Sequence, residues 1–239
     1  MIDERHSAAY LTTAAPAGSA SERLAIVRDA VARAARSAGR QAADIELVAV
    51  SKTWGADAIT PLIAAGQHSF GENRVVEAQE KWPVLRATTP DLRLHLVGQL
   101  QSNKAADAVA LFDVIHSVDR PSLVSALGKA MATLGKRPDC YLQVNIGAEP
   151  QKGGCALGEI GALLAQAQAA GLPVAGLMCV PPADIEAAPF FALLQQLGRQ
   201  HGLTGLSMGM SEDFETAVML GATVVRVGSA LFGGRNQPG

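Results

Sequence analysis

The chain has 239 residues, 49% of them apolar and 18% charged, with a net charge of −2; this excludes a disordered chain and gives no electrostatic case for nucleic acid or an anionic membrane. Its three cysteines, Cys140, Cys155 and Cys179, are odd in number and form no C-x-x-C pair, which fits a reducing cytoplasm and argues against a disulfide framework or a zinc site. No apolar run reaches the length of a membrane span, and the charged start M-I-D-E-R-H-S lacks the apolar core of a signal peptide.

Residues 1–20, rich in Ala, Ser, Thr and Gly, read as a loose tail, and residues 21–239 as one domain. Ser21 to Gly39 reads as a helix with Leu24, Val27, Val31 and Ala34 or Ala35 on one face and arginines on the other. Glu46 to Ser51 is a nearly unbroken apolar run, the signature of a strand covered on both faces, and it delivers Lys52 at its carboxyl end. Asp57–Ala65 is a short helix stopped by Gly66. His68–Phe70 is a second strand, Glu72–Leu85 a helix with Pro83 near its end, and Arg93–Val97 a third strand.

After the loop Gly98–Lys104 comes a helix to Leu111, then a strand at Val114–Ser117 and a helix at Asp119–Leu134 with Pro121 in its first turn. Tyr141–Asn145 is the fifth strand, followed by the glycine-rich loop 146–154 with Lys152, and a helix at Leu157–Ala170. Val174–Val180, Leu203–Met208 and Thr223–Val227 complete the strands, with helices at Asp184–Gln200 and Glu212–Leu220, and Phe232 to Gly239 ends the chain. Eight short strands alternating with helices predict an α/β fold, a single (β/α)8 TIM barrel with an extra N-terminal helix. The alternative, an open doubly wound sheet, lacks a G-x-G-x-x-G after the first strand.

Polar residues at the strand carboxyl ends of a barrel read as functional. Here they offer Lys52, Arg226, two amides and many glycines, with no metal-ligand cluster, no paired carboxylates, no G-x-S-x-G and no Walker lysine. Burial of Lys52 would favour a neutral amine suited to Schiff-base chemistry; the alternative is a lysine snorkelling past a strand end. Gly228-Ser229-Ala230 follows the last strand, where this fold commonly holds phosphate, although a tight turn explains the glycines equally well. Ser211 is read as capping the helix of the preceding unit, Glu212–Leu220. Arg226 stands inside the apolar strand T-V-V-R-V-G and needs an acceptor, either a ligand at the barrel mouth or a carboxylate such as Glu72. A carbonyl for Lys52, a phosphate for the Gly228–Ser229 end and a flat acceptor for Arg226 together describe pyridoxal 5′-phosphate. A permanent cation against its pyridine nitrogen would mute its power as an electron sink.

Six segments in order resemble one family: V-A-V-S-K-T (48–53), F-G-E-N (70–73), L-Q-S-N-K (100–104), G-L-M (176–178), L-S-M-G-M-S (206–211) and V-R-V-G-S-A-L-F-G (225–233). They are similar to the pyridoxal phosphate homeostasis proteins, relatives of the barrel domain of bacterial alanine racemase, over about Ser21 to Arg235. The resemblance implies a fold-type III barrel with the aldehyde on Lys52 and the phosphate on Ser211, Gly228 and Ser229. It also places Arg226 at the ring nitrogen and Asn73 beside the ring. It implies binding, buffering and delivery of the vitamer to PLP-dependent apoenzymes by a cytoplasmic monomer or weak dimer, with little or no turnover and no assigned catalytic residue.

Gln99 and Arg74 depart from the family pattern, and E-P-Q-K-G-G (149–154) resembles its mobile E-x-x-K-x-G loop, with Lys152 either a secondary amine for aldehyde transfer or a solvated lysine. The competing class is an amino-acid racemase or lyase. It needs a second acid/base group opposite Lys52, and the chain offers only Tyr10, in the tail, and Tyr141, near the start of a strand.

Overall fold

The computed structural model describes residues 18–233, so the expected tail, with Tyr10, falls almost entirely outside them. Helix α1 runs Ala20–Ser37 and starts on a reciprocal cap. The Ser19 hydroxyl accepts from the Glu22 N–H at 3.3 Å, and the Glu22 carboxylate accepts from the Ser19 N–H at 2.7 Å. Leu24, Val27, Ala30, Val31, Ala34 and Ala35 are its buried face.

Eight parallel strands close into a barrel in sequence order: β1 Glu46–Val50, β2 Ser69–Glu72, β3 Arg93–Leu96, β4 Val114–Val118, β5 Asp139–Val144, β6 Val174–Cys179, β7 Gly205–Ser207 and β8 Val224–Val227. Closure is made by β1 against β8, with Val48 opposite Arg226 and Ala49 opposite Val227. Between the strands lie α2 Ala56–Ala64, α3 Val75–Thr88, α4 Ala105–Leu111, α5 Pro121–Leu134, α6 Ile160–Ala169, α7 Ala188–Gln200 and α8 Phe214–Met219, and α9 Ser229–Phe232 follows β8. The α/β barrel expected from the alternation of elements is the fold observed, and the open sheet is not. Among the described residues no helix is long and apolar enough to cross a membrane.

Burial on both faces explains the unbroken apolar strands. Val48, Val114, Tyr141, Met178 and Val224 pack against one another inside the barrel, while Ala49, Phe70, Leu94, Ile115 and Val225 join the layer beneath the helices. Within that outer layer Phe70 and Trp82 meet at 5.2 Å between ring centroids.

Three expectations are corrected. Glu72 ends β2 instead of opening a helix: its carbonyl accepts from the Val97 N–H at 2.9 Å, which carries the ladder one residue further. Helix α7 begins at Ala188, four residues later than expected, because Pro189 has no N–H to give and suits only a first turn. Leu203 and Thr204 are not in β7, since the Leu203 N–H is used by the Gly198 carbonyl to close the end of α7.

Candidate functional site

The carboxyl ends of β8, β1 and β2 lie side by side and bring most of the expected residues to one stretch of rim. Lys52 follows β1 by two residues, Asn73 follows β2 directly, and Gly228 and Ser229 follow β8. A Cβ built on Gly228 would lie 3.5 Å from the Val50 carbonyl oxygen, so the β8 loop rests on the strand that carries Lys52. Gly98 fits the backbone of the β3 loop against Asn73: a Cβ there would fall 2.2 Å from the Asn73 carbonyl oxygen.

Lys52 is half-buried, and its amine makes no hydrogen bond or ion pair among the described residues. The turn that presents it is held hard. Trp54 N–H donates to the Ser51 carbonyl at 3.1 Å, closing residues 51–54, and Thr53 takes a left-handed φ of 66°. Glu77 accepts from the Thr53 N–H at 2.5 Å. Lys81, on α3 beneath the turn, donates to the carbonyls of both Ser51 (2.9 Å) and Trp54 (3.0 Å). Its ammonium also pairs with Glu72 at 2.9 Å and Glu77 at 3.0 Å. Glu72 is fully buried and accepts in addition from Ser51 Oγ (2.5 Å) and Trp82 Nε1 (3.1 Å). Burial raises its pKa against the opposing pull of Lys81 and the two hydroxyl and indole donors.

Arg226 does not pair with Glu72. Its guanidinium reaches the carboxyl ends of β6 and β7, where Nη1 donates to the carbonyl (2.8 Å) and hydroxyl (2.6 Å) of Ser207 and Nη2 donates to the Cys179 carbonyl (2.8 Å). Three of the five N–H donors of a guanidinium are thereby used, and the others make no bond among the described residues. Burial lowers its pKa, but a guanidinium stays charged.

Ser211 is not a helix cap. Asp213 holds the N-cap position of α8, and Ser211 Oγ instead accepts from the Gly228 N–H at 3.2 Å, joining the loops after β7 and β8. The first N–H groups of α9, on Ser229 and Ala230, make no hydrogen bond among the described residues. The arrangement therefore holds an uncommitted amine, a fixed cation and open backbone donors along adjacent strand ends, which is a donor set that fits a phosphorylated pyridine aldehyde.

Lys152 is partly exposed but not free: it donates to the Pro181 carbonyl at 2.9 Å and pairs with Glu149 at 2.6 Å. Gln99 ties this loop down, donating to Gln143 Oε1 (2.6 Å), whose amide donates in turn to the Gly153 carbonyl (3.1 Å). Arg74 is exposed just before α3. Tyr141 lies in the barrel core, stacked on His116 with centroids 4.7 Å apart, and burial raises its pKa. The three thiols are buried, and burial pushes Cys140 and Cys179 up to about 12 and Cys155 to about 11.

The sequence pattern of the family described as alanine racemase, N-terminal domain, matches residues 26–236. The pyridoxal phosphate homeostasis protein of Pseudomonas aeruginosa is 40% identical over 223 residues, covering 90% of this chain and 95% of that one. Its namesake from Escherichia coli K12 is 37% identical over 225 residues, covering 89% and 95%. PipY of Synechococcus elongatus PCC7942, solved with PLP bound, superposes with a TM-score of 0.78 at 40% identity over 90% of this chain and all of that one. An alanine racemase of Clostridium difficile shares the fold alone, at 15% identity and a TM-score of 0.66.

Proposed function

This chain belongs to the alanine racemase N-terminal-domain family, and from that premise we propose that it binds pyridoxal 5′-phosphate, with Lys52 taking the aldehyde, and acts in vitamin B6 homeostasis. The observation that carries the reading is the uncommitted amine of Lys52, presented by a clamped turn beside the open N–H groups of α9. Two relatives near 40% identity are named for pyridoxal phosphate homeostasis, and PipY was solved with PLP.

When bound, the cofactor supplies an electrophilic carbonyl conjugated to a pyridine ring. The residues of this chain supply the rest. Lys52 gives the nucleophilic nitrogen. Ser211, Gly228 and Ser229 would receive the phosphate, and Asn73 would lie beside the ring. Arg226, whose guanidinium does not release its protons, would face the ring nitrogen and leave it unprotonated. That placement favours holding the cofactor over using it.

Storage and delivery to PLP-dependent apoenzymes in the cytoplasm, by a monomer or weak dimer with little or no turnover, is the role this supports. Racemisation needs proton-transfer groups on both faces of the substrate carbon, and Tyr141 is packed inside the barrel.

The test is an absorption spectrum and intact mass of purified protein before and after borohydride. The reading expects a cofactor mass fixed on the Lys52 peptide and its loss in Lys52→Ala, with weaker phosphate-anchored binding retained. Transfer to an apoenzyme should follow on mixing. A colourless protein that ignores added pyridoxal phosphate overturns the reading, and robust racemisation of D- or L-amino acids overturns the carrier role.

A further inference from the structure

A single file of polar side chains crosses the barrel core from the amino-terminal rim to Arg226. Glu46, the first residue of β1, has Oε1 3.2 Å from His95 Nε2, an ion-pair distance outside hydrogen-bond geometry, and Nε2 makes no hydrogen bond among the described residues. His95 Nδ1 lies 3.0 Å from His116 Nε2, His116 Nδ1 lies 2.9 Å from Ser207 Oγ, and Ser207 Oγ is 2.6 Å from Arg226 Nη1. His95, His116 and Ser207 are fully buried.

The two ends of this file are chemically fixed. A guanidinium can only donate. Glu46 can only accept: burial opposes its charge, but His95, the Ser69 hydroxyl and Arg93 outweigh that and hold the carboxyl at about 2. Arg226 occupies one lone pair of Ser207 Oγ, so the Ser207 hydrogen is left to point at His116 Nδ1. The proton of a neutral His116 then sits on Nε2 and donates to His95 Nδ1, which leaves the His95 proton on Nε2, toward Glu46. The reverse order would set a bare His95 nitrogen against a carboxylate oxygen 3.2 Å away and give the Ser207 hydrogen no acceptor among these groups. Burial disfavours an imidazolium at His116, and so do positive charge at His95 and the nearby guanidinium of Arg226.

We propose that Glu46 is a positioning residue for Arg226 at the opposite rim, acting through a polar chain of fixed direction in which His95 and His116 both carry their proton on Nε2. Its consequence for the cofactor rests on the reading above; the proton placement does not. With the chain intact, Ser207 Oγ is held as an acceptor toward Arg226, and the guanidinium cannot swing from the carbonyls that aim it at the mouth.

The test uses the full, cofactor-free chain with 15N-labelled histidine, recording ring-nitrogen correlation spectra at about pH 8.5, above the ordinary imidazole range. The sequence has five histidines, and His95→Gln and His116→Gln assign the two signals. The wild-type protein should show N–H on Nε2 of both rings. Glu46→Gln, which keeps an acceptor oxygen, should preserve this pattern, and Glu46→Leu should lose it at both rings. A wild-type N–H on Nδ1 of either ring, or Glu46→Leu leaving both rings unchanged, overturns the proposal. If Glu46→Leu does not fold, the wild-type spectrum decides alone. In the loaded protein Glu46→Leu should bind pyridoxal phosphate about fivefold more weakly and Glu46→Gln like wild type. Equal affinity in Glu46→Leu overturns the positioning role, whereas no binding by the wild type counts against the cofactor reading and leaves the proton placement standing.

Discussion

The ammonium of Lys81 lies 2.9 Å from the Ser51 carbonyl oxygen, one residue before the amine proposed to take the cofactor. Because it also grips Trp54 and pairs with Glu72 and Glu77, it ties both ends of the Lys52 turn to α3. Lys81→Met removes those bonds and leaves the buried Glu72 carboxylate without its cation, a loss worth about 3 kcal/mol in comparable buried pairs. The urea midpoint should fall accordingly, and the fraction of Lys52 carrying cofactor mass after borohydride should fall with it. Adding Glu72→Gln, which keeps an acceptor for Ser51 and Trp82 but no charge, should restore part of the stability. Unchanged loading in a folded Lys81→Met protein would show that the clamp does not position Lys52.

Glu46 gives the fold an acid-sensitive component. Its carboxyl is held at about 2 instead of 4.5, so the folded state binds its proton less readily than the unfolded chain. The stabilisation is fully present above pH 4.5, is lost as the pH falls from there toward 2, and amounts to about 3 kcal/mol. Glu46→Gln has no such proton to bind. Urea titrations at pH 7 and at successive steps between 4.5 and 2 should therefore show the wild-type advantage over Glu46→Gln shrinking as acid is added. An advantage that is constant with pH contradicts this assignment.

Arg226 is held by three bonds that diverge to two strands, with Nη1 on Ser207 and Nη2 on Cys179. A lysine presents one compact ammonium and cannot span both carbonyls from a planar fork. Arg226→Lys should leave a buried carbonyl unpaired, cost about 2 kcal/mol in stability, and weaken cofactor retention measured by dialysis. Retention equal to wild type would remove Arg226 from the site.

Much of this was legible in the chain because the strands, covered on both faces, are written as apolar runs, and because Lys52 and Arg226 break those runs where a charge needs a reason. Glu72 was misplaced because its neutralising partner is nine residues away in sequence and looks like half of an ordinary exposed i, i+4 pair with Glu77. Lys81 was passed over for the same reason. The histidine file was missed because each imidazole stands alone among apolar neighbours, His95 between Leu94 and Leu96 and His116 after Ile115. Strand alternation points both rings inward, but only barrel closure sets them 3.0 Å apart. Ser211 follows a strand and precedes a helix, so a cap was the local reading; its partner, Gly228, belongs to the next strand's loop.

Thr53 is the residue whose conformation no sequence pattern announced. A β-branched side chain at φ 66° is strained by about 1–3 kcal/mol, and glycine takes that conformation without the clash. Against this, glycine adds about 1 kcal/mol of backbone freedom to the unfolded chain. Thr53→Gly should therefore stabilise the protein by up to about 2 kcal/mol and raise Tm by a few degrees. The anchors of the turn are the Ser51 and Trp54 carbonyls and the Thr53 N–H, all of which glycine keeps, so loading of Lys52 should not change. Thr53→Pro removes that N–H and cannot adopt a positive φ, and should lower both stability and loading. If Thr53→Gly keeps its stability but loses its cofactor, the threonine side chain itself contributes to the site, and the turn is not held by its backbone alone.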